Sequence, residues 1–112
     1  MAPRRKTAPD QFLYLTTTGR KTGLPREIEI WYVSAGDRLY VLAEMGEKAQ
    51  WVRNIRADPR VRVRLGARES PAKARVLDQQ QDAAAWQEAQ RLSREKYGWS
   101  DGLPVEIRPE GR

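Results

Sequence analysis

Apolar and polar residues alternate along much of the chain, a pattern typical of strands with one buried face. Arg60–Leu65 alternates without interruption, which predicts a half-buried strand with its arginines facing outward. Other segments are rich in aromatic and β-branched residues or alternate more weakly. The predicted strands are residues 12–18, 26–33, 39–43, 60–65, 73–77 and 105–107.

Two segments have helical spacing instead. Trp51, Val52 and Ile55 predict a short helix between Gly46 and Pro59, and residues 80–97 contain neither glycine nor proline. Five or six strands joined mostly by hairpins, with two helices, predict a mainly β (α+β) fold. We expect a small antiparallel barrel, because closure hides the edges of a sheet. Residues 1–10 are predicted to form a flexible arm and residues 11–112 a single domain.

Composition narrows the possible chemistry. The 112 residues include no cysteine and no histidine, which excludes disulfides, Cys-ligated metals, Ser-His-Asp triads and nearly all catalytic zinc sites. We therefore expect no metal site. No apolar run approaches the ~18 residues of a membrane span, and no apolar stretch follows the charged N-terminus. We expect no transmembrane segment and a cytoplasmic location.

The positive charge is unevenly distributed. The chain carries a net charge of +6, and the basic excess lies in residues 1–26 and 51–76, whereas residues 27–50 and 77–112 are net acidic. Two basic blocks that converge in the fold would attract a polyanion such as nucleic acid, an acidic membrane surface or a phosphorylated small ligand. Charge alone does not choose among these partners.

One candidate site is the glycine-rich segment Thr16–Arg26. A tight turn between strands exposes backbone N–H groups, and Arg20, Lys21 and Arg26 add positive charge, so the segment is a candidate phosphate cradle. The spacing from glycine to lysine differs from that of a Walker loop. An ordinary solvated hairpin turn explains the same residues, and spacing alone favours that interpretation.

A second candidate site is the start of the short helix. Trp51 near the first turn and Asn54 three residues later lie near one face, which suits an aromatic wall with a polar anchor for a flat ligand. A tryptophan that simply closes the core explains the pattern equally well. The arginine row at positions 60, 62 and 64 is better explained by a solvated strand face than by nucleic-acid binding. We therefore expect no nucleic-acid partner.

These features indicate a protein that only binds a ligand, or one that takes its chemistry from a cofactor. Hydride transfer fits the second case, because the cofactor supplies the reactive atom and the protein supplies position and electrostatics. A proton for the acceptor would come from water or from a tyrosine such as Tyr97.

Two ordered blocks of sequence carry a resemblance to a known family. They are Leu15–Arg26 with Ile30–Val33, and Gly36–Val41 with Trp51–Val61. Together they resemble the deazaflavin-dependent nitroreductase family of split β-barrel flavin and deazaflavin oxidoreductases. The resemblance implies a split β-barrel of about six largely antiparallel strands with two helices. It also implies coenzyme F420 as cofactor and hydride transfer to a nitroaromatic, quinone or enone-like acceptor.

The resemblance also implies roles for particular residues. Arg20, Lys21 and Arg26 would hold the cofactor phosphate, and Lys48 would meet its oligoglutamate tail. The residues implied near the ring or the phosphate are Glu29, Ile30, Trp31, Ala43, Glu44, Gly46, Trp51 and Asn54. A homodimer is expected, since split barrels usually pair.

Two other functions stay open beside this one. The first is a non-catalytic member, or one that binds FMN, haem or a lipid-like ligand in the same groove. The second is a basic nucleic-acid-binding barrel, which leaves both sequence blocks unexplained. FMN is the second choice of cofactor after F420.

Overall fold

Seven strands and two α-helices account for most of residues 11–110, the part of the chain that this computed structural model describes. The arm predicted for residues 1–10 lies outside the described residues. The strands are β1 (Phe12–Thr18), β2 (Pro25–Trp31), β3 (Val33–Ala35), β4 (Arg38–Ala43), β5 (Arg60–Leu65), β6 (Arg68–Val76) and β7 (Leu103–Pro109). The helices are α1 (Gln50–Ala57) and α2 (Ala83–Tyr97), and a single 3₁₀ turn, Gly46–Lys48, precedes α1.

The strands form one antiparallel sheet in the order β2-β1-β5-β6-β7-β4-β3. It curls into a half-barrel, which confirms the predicted mainly β fold with two helices. Three hairpins, β1–β2, β3–β4 and β5–β6, join neighbours in the sheet. The β1–β2 hairpin and α1 end at the same edge of the half-barrel, where the candidate site lies.

Three strands differ from their predicted extent. The last one, predicted at 105–107, spans Leu103–Pro109. Residues 26–33 do not form one strand, because the chain leaves its pairing with β1 at Tyr32 and joins β4 from Val33 onward. The weak strand predicted at 73–77 instead begins at Arg68. The sequence pattern did not predict the first half of this strand, because it contains Pro71 and proline is rare in the interior of a sheet.

The inner face of the curled sheet forms the main core. Its fully buried side chains include Leu13, Leu15, Val41 and Ile107, and Ile55 of α1 closes one end. α2 packs on the outer face in a second apolar cluster, in which Tyr40, Leu42, Leu77 and Ala89 are buried.

A buried carboxylate lies on that outer face. Glu106 of β7 is only 3% exposed, although its neighbours Val105 and Ile107 point into the main core. Its oxygens accept hydrogen bonds from Arg38 of β4 at 3.2 Å and Arg75 of β6 at 3.4 Å. Arg108 adds a third contact at 3.3 Å. This ionic cluster ties three adjacent strands together.

Neither helix of the described residues is long and apolar enough to cross a membrane. The cytoplasmic location stays a prediction.

Candidate functional site

The turn between β1 and β2 is a closed loop of backbone hydrogen bonds. The Gly19 N–H donates to the Leu24 carbonyl at 2.8 Å, and the Gly23 N–H donates to the Gly19 carbonyl at 2.7 Å. A Cβ on Gly19 would stand 2.8 Å from the Thr22 hydroxyl oxygen and 3.2 Å from the Leu24 carbonyl oxygen. A side chain at position 19 would therefore force Thr22 and the turn to shift. Within the described residues, the backbone N–H groups of Lys21 and Thr22 have no partner, so they are available to an anion.

Arg20 is held by α1. Its backbone N–H and its guanidinium both donate to Asn54 Oδ1, at 3.2 and 2.9 Å, and the guanidinium also donates to Gln50 Oε1 at 2.9 Å. Asn54 in turn donates from Nδ2 to the Thr17 hydroxyl at 3.1 Å. All of these partners are neutral, so Arg20 keeps an uncompensated positive charge while its position is fixed.

Three further cations surround this end of the half-barrel. Lys21, Arg26 and Lys48 are exposed, and none of them forms a hydrogen bond or an ion pair through its side chain with another residue of 11–110. Glu47, the carboxylate next to Lys48, pairs with Arg56 at 2.6 Å, and that hydrogen bond holds the pKa of Glu47 below its usual range. The edge therefore carries positive charge with little compensation.

A pocket of about 600 Å³ opens next to the N-terminal turn of α1, where Ala49 and Trp51 line it. Aromatic and aliphatic side chains make up most of its wall, and they come from β2, β4, α1 and the segment around the end of α2. The lining residues are Ile30, Trp31, Leu42, Glu44, Met45, Ala49, Trp51, Tyr97 and Trp99. Such a mainly apolar concavity with few polar groups is typical of sites for flat organic ligands.

One wall of the pocket is a pair of stacked rings. Trp31 and Tyr97 lie with their centroids 4.4 Å apart and their planes 19° from parallel, and half of Trp31 is exposed. The Tyr97 hydroxyl lies 2.5 Å from the Tyr32 carbonyl oxygen and 2.6 Å from that of Gln11. These carbonyls accept hydrogen bonds from the Tyr97 hydroxyl and hold the ring in place.

The N-terminal turn of α1 joins the cationic turn to the pocket. Gln50 binds Arg20 on one side, while the next residue, Trp51, lines the pocket on the other. Both parts of the site are thus positioned by one short helix, which the sequence predicted from the spacing of Trp51, Val52 and Ile55.

The predicted site residues fall into three groups. Five of them line the pocket: Ile30, Trp31, Glu44, Trp51 and Tyr97. Another group forms the positively charged end of the half-barrel described above, called the cationic edge: Arg20, Lys21, Arg26, Lys48 and Asn54. The remaining three do not line the pocket: Ala43 is buried at the end of β4, Gly46 begins the 3₁₀ turn with φ 60°, and Glu29 is exposed.

Glu29 points away from the inner face of β2 and does not line the pocket. It pairs with Tyr14 across β1 and β2, and its hydrogen bond to the tyrosine hydroxyl raises the pKa of Tyr14. Strand alternation accounts for this placement, because Ile28 and Ile30 face inward and Glu29 therefore faces outward.

The sequence interpretation assigned no site role to Gln50, Leu42, Ala49 or Trp99. Trp99 is held by a hydrogen bond from Ser93 to its carbonyl at 2.6 Å, just after Gly98 ends α2 with φ 74°. The glycines at 98 and 102 signalled a turn around this tryptophan. They did not reveal that the turn folds back onto β4.

The family model described as F420H(2)-dependent quinone reductase matches residues 4–108. The chain belongs to this family. The predicted relationship to deazaflavin-dependent split-barrel oxidoreductases is thereby confirmed, and so is F420 as the predicted cofactor.

Solved structures agree with the family. The chain is 25% identical to the F420-H2 dependent reductase FDR-A, with 88% of this chain and 93% of that chain covered and a TM-score of 0.66. A structure described as a domain-swapped dimer is also 25% identical, with 92% and 83% covered and a TM-score of 0.63. HutZ, a haem storage protein from Vibrio cholerae, reaches a TM-score of 0.74 over 92% and 84% of the chains at 20% identity, which shows the shared fold.

The residues of this F420H2-dependent quinone reductase family member fit the cofactor. F420 combines a flat deazaflavin ring with an anionic tail, and the site combines an aromatic pocket with uncompensated cations and two open N–H groups. No group of three or more potential metal-ligating carboxylates occurs in the part of the chain that the structure describes. The family is one of reductases, so the established part of the function is F420-dependent reduction.

Proposed function

We propose that this protein passes a hydride from reduced F420 to a flat, apolar acceptor, with quinones as the first candidates and nitroaromatic or enone-like compounds as further ones. One observation carries the proposal: a turn with uncompensated positive charge and an aromatic pocket are joined by the N-terminal turn of α1. A ligand with a flat ring and an anionic tail matches both parts.

The proposed roles follow from the position of each group. Lys21, Arg26 and the open N–H groups of the turn bind the phosphate, while Lys48 attracts the acidic tail. Arg20, held by Asn54 and Gln50, supports the turn and adds charge. Ile30 and Trp51, with Ala43 and Gly46 behind the pocket, border the ring.

The stacked pair of Trp31 and Tyr97 is proposed to form the surface on which the acceptor lies beside the cofactor. When bound, reduced F420 supplies the hydride. A quinone that receives it also takes up a proton and becomes a hydroquinone. The pocket is open, so water reaches it. Tyr97 as the proton donor stays a prediction, and its hydroxyl would first have to leave the carbonyls of Gln11 and Tyr32.

The proposal is tested by titrating the protein with oxidised F420 and following the quenching of tryptophan fluorescence, with FMN titrated in parallel. Removing Lys21 and Arg26 together, as the Lys21→Ala/Arg26→Ala variant, deletes two charge-assisted contacts worth about 1.5–3 kcal/mol each. We expect F420 affinity to fall by at least tenfold. Reduction of 1,4-naphthoquinone by F420H2 is then followed by the change in F420 absorbance.

The matched control is Arg68→Ala/Lys73→Ala, which removes the same two residue types from β6. Neither side chain forms an ion pair with another residue of 11–110, and neither lines the aromatic pocket. This control should bind F420 as the unmodified protein does. The proposal would be contradicted by equal affinity for FMN and F420, or by an equal loss of F420 affinity in the two double variants.

We also propose that the protein is a homodimer. The outer face of β1 and β2 leaves Phe12 half-buried and Trp31 half-exposed, so a partner there would cover aromatic surface beside the pocket. A related structure described as a domain-swapped dimer supports the idea. Sedimentation equilibrium measures the mass directly, and a concentration-independent mass near 12.9 kDa would refute it.

A further inference from the structure

Among the described residues that line the aromatic pocket, Glu44 is the only one with a carboxylate. We propose that this carboxylate selects the charge of the acceptor, so that the site favours neutral or cationic planar acceptors and rejects anionic ones. The inference rests on the proposed function, because it names the acceptor class for that same pocket.

The surroundings of Glu44 leave its charge available to a ligand. The side chain is exposed at the turn after β4, and it forms neither a hydrogen bond nor an ion pair with another residue of the described range. A glutamate carboxylate is negatively charged at neutral pH. Glu47, three residues later, differs because its charge is compensated by Arg56 at 2.6 Å.

The rest of the pocket wall reinforces the same preference. Trp31, Trp51, Tyr97 and Trp99 line it, and aromatic rings attract cations through their negative faces. An anionic substituent would therefore meet a carboxylate and aromatic rings. The nearby cation Lys96 does not line the pocket: its ammonium donates to the Tyr32 carbonyl at 3.1 Å and lies 4.5 Å from the ring centroid of Tyr32 and 5.1 Å from that of Tyr97.

The cations Lys21, Arg26 and Lys48 are likewise absent from the pocket lining, so the site has two ends of opposite charge. The cationic edge attracts the phosphate and acidic tail of the cofactor, whereas Glu44 disfavours an anion in the apolar pocket. This polarity keeps the anionic tail out of the acceptor position. It also predicts that acceptors are sorted by charge as well as by shape.

Three acceptors with one ring system test the inference: 1,4-naphthoquinone, its 2-sulfonate and a 2-(trimethylammoniomethyl) derivative. We compare kcat/KM with F420H2 for the unmodified protein, Glu44→Gln, Glu44→Lys and the control Glu47→Gln. The quantity compared is the kcat/KM for the cationic acceptor divided by the kcat/KM for the anionic acceptor. Dividing each variant's ratio by that of the unmodified protein cancels the different intrinsic reactivities.

We expect Glu44→Gln to lower this ratio about three- to tenfold, because an exposed charge acts through solvent. Glu44→Lys should lower it further, and Glu47→Gln should leave it within twofold. The effect of Glu44→Gln should shrink in 0.5 M salt, where exposed charges are screened. A ratio that is unchanged in both Glu44 variants would overturn the inference.

A binding measurement separates this inference from the proposed function. Naphthalene-2-sulfonate and a naphthyl trimethylammonium salt, neither of which accepts a hydride, are titrated against the four proteins without F420, with tryptophan quenching as the readout. The cation should bind more tightly than the anion, and Glu44→Gln should reduce that difference. If no quinone is reduced while this preference persists, the proposed function fails and the charge selection stands. If quinones are reduced and neither readout responds to Glu44, only the inference fails.

Discussion

At position 54 an almost fully buried amide joins three parts of the molecule. Asn54 lies on α1, accepts two hydrogen bonds from Arg20 of the β1–β2 turn and donates one to Thr17 of β1. Each polar atom of the amide has a partner. The side chain therefore acts on a ligand through Arg20, whose guanidinium it positions.

Replacing this amide gives a prediction about stability. Asn54→Ala removes the acceptor for the Arg20 N–H and the donor to Thr17, and unsatisfied buried groups cost about 1–3 kcal/mol. We expect the free energy of unfolding to fall by that amount in urea titrations followed by tryptophan fluorescence. Gln50→Ala, which removes an exposed contact of the same arginine, should change it by less than about 0.5 kcal/mol. Equal losses of unfolding free energy in the two variants would show that the burial of Asn54 does not determine its contribution to stability.

The same residues show where sequence interpretation reaches its limit. From residue types, the glycines, Lys21 and Arg26 made the turn a candidate anion site, although spacing alone favoured an ordinary solvated turn. The sequence does not reveal that Arg20 differs from its neighbours, because its partners Asn54 and Gln50 lie 34 and 30 positions away in the chain. Contacts at such separation depend on how α1 packs against β1.

Among the elements, the connection from α2 to β7 shapes the pocket by a close approach to β4. Gly102 is buried in it, and a Cβ there would stand 2.8 Å from the Trp99 ring and 2.9 Å from the Ala43 carbonyl oxygen. Trp99 lines the pocket. The absence of a side chain at position 102 is thus what lets the tryptophan lie against β4.

Gly102→Ala should therefore disturb the pocket as well as the fold. Overpacking of this kind costs about 1–3 kcal/mol, and we expect Trp99 to shift, which would change the fluorescence emission maximum and weaken F420 binding. Gly36→Ala is the matched control, because it has open space around its Cβ but a φ of 66°. It should lose stability through backbone strain alone. Normal emission and normal F420 affinity in Gly102→Ala would contradict this account.

Most elements were predictable because each carries a local signal. The uninterrupted alternation of β5 and the helical spacing of α1 needed no tertiary information. The break at Tyr32 could not be predicted without tertiary information, because the residues on both sides of it favour strands. The division arises because β2 pairs with β1 while β3 pairs with β4. The start of β6 was predicted too late for a related reason. Only the structure shows that the sheet tolerates the missing N–H of Pro71 at that position of the ladder.

Across the whole molecule, several surface carboxylates titrate below their usual range. A hydrogen bond from the Arg56 guanidinium lowers the pKa of Glu47, and one from Arg60 lowers that of Asp58. The pKa of Asp82 is lowered by the backbone N–H of Asp78 and by Arg75. In the unfolded chain these carboxyls hold their protons up to a higher pH. Their contribution to stability is thus complete above the unfolded pKa and is lost as pH falls through the folded pKa.

We therefore expect Tm to decrease as pH falls below about 4, measured by circular dichroism between pH 2 and 7. Arg60→Gln removes the partner of Asp58, so its Tm should depend less on pH in that range. Lys73→Gln removes the same charge from a residue without a carboxylate partner, and its acid dependence should match that of the unmodified protein. A Tm that is constant across the acid range would refute this account.

The overall architecture was accessible from the sequence through the two blocks at Leu15–Arg26 and Trp51–Val61, which carry both the family resemblance and the cationic turn. Alternation alone indicated an antiparallel barrel. The closing of the pocket by Trp99 required the course of the chain in space.

The ionic cluster at Glu106 also bears on how the sheet assembles correctly. A slip of β7 by one position would turn this carboxylate into the apolar core now filled by Val105 and Ile107, and it would take the carboxylate away from Arg38 of β4 and Arg75 of β6. A misaligned chain would thus bury a charge without its partners. We therefore expect Glu106 to disfavour the wrong register of β7 with its neighbours.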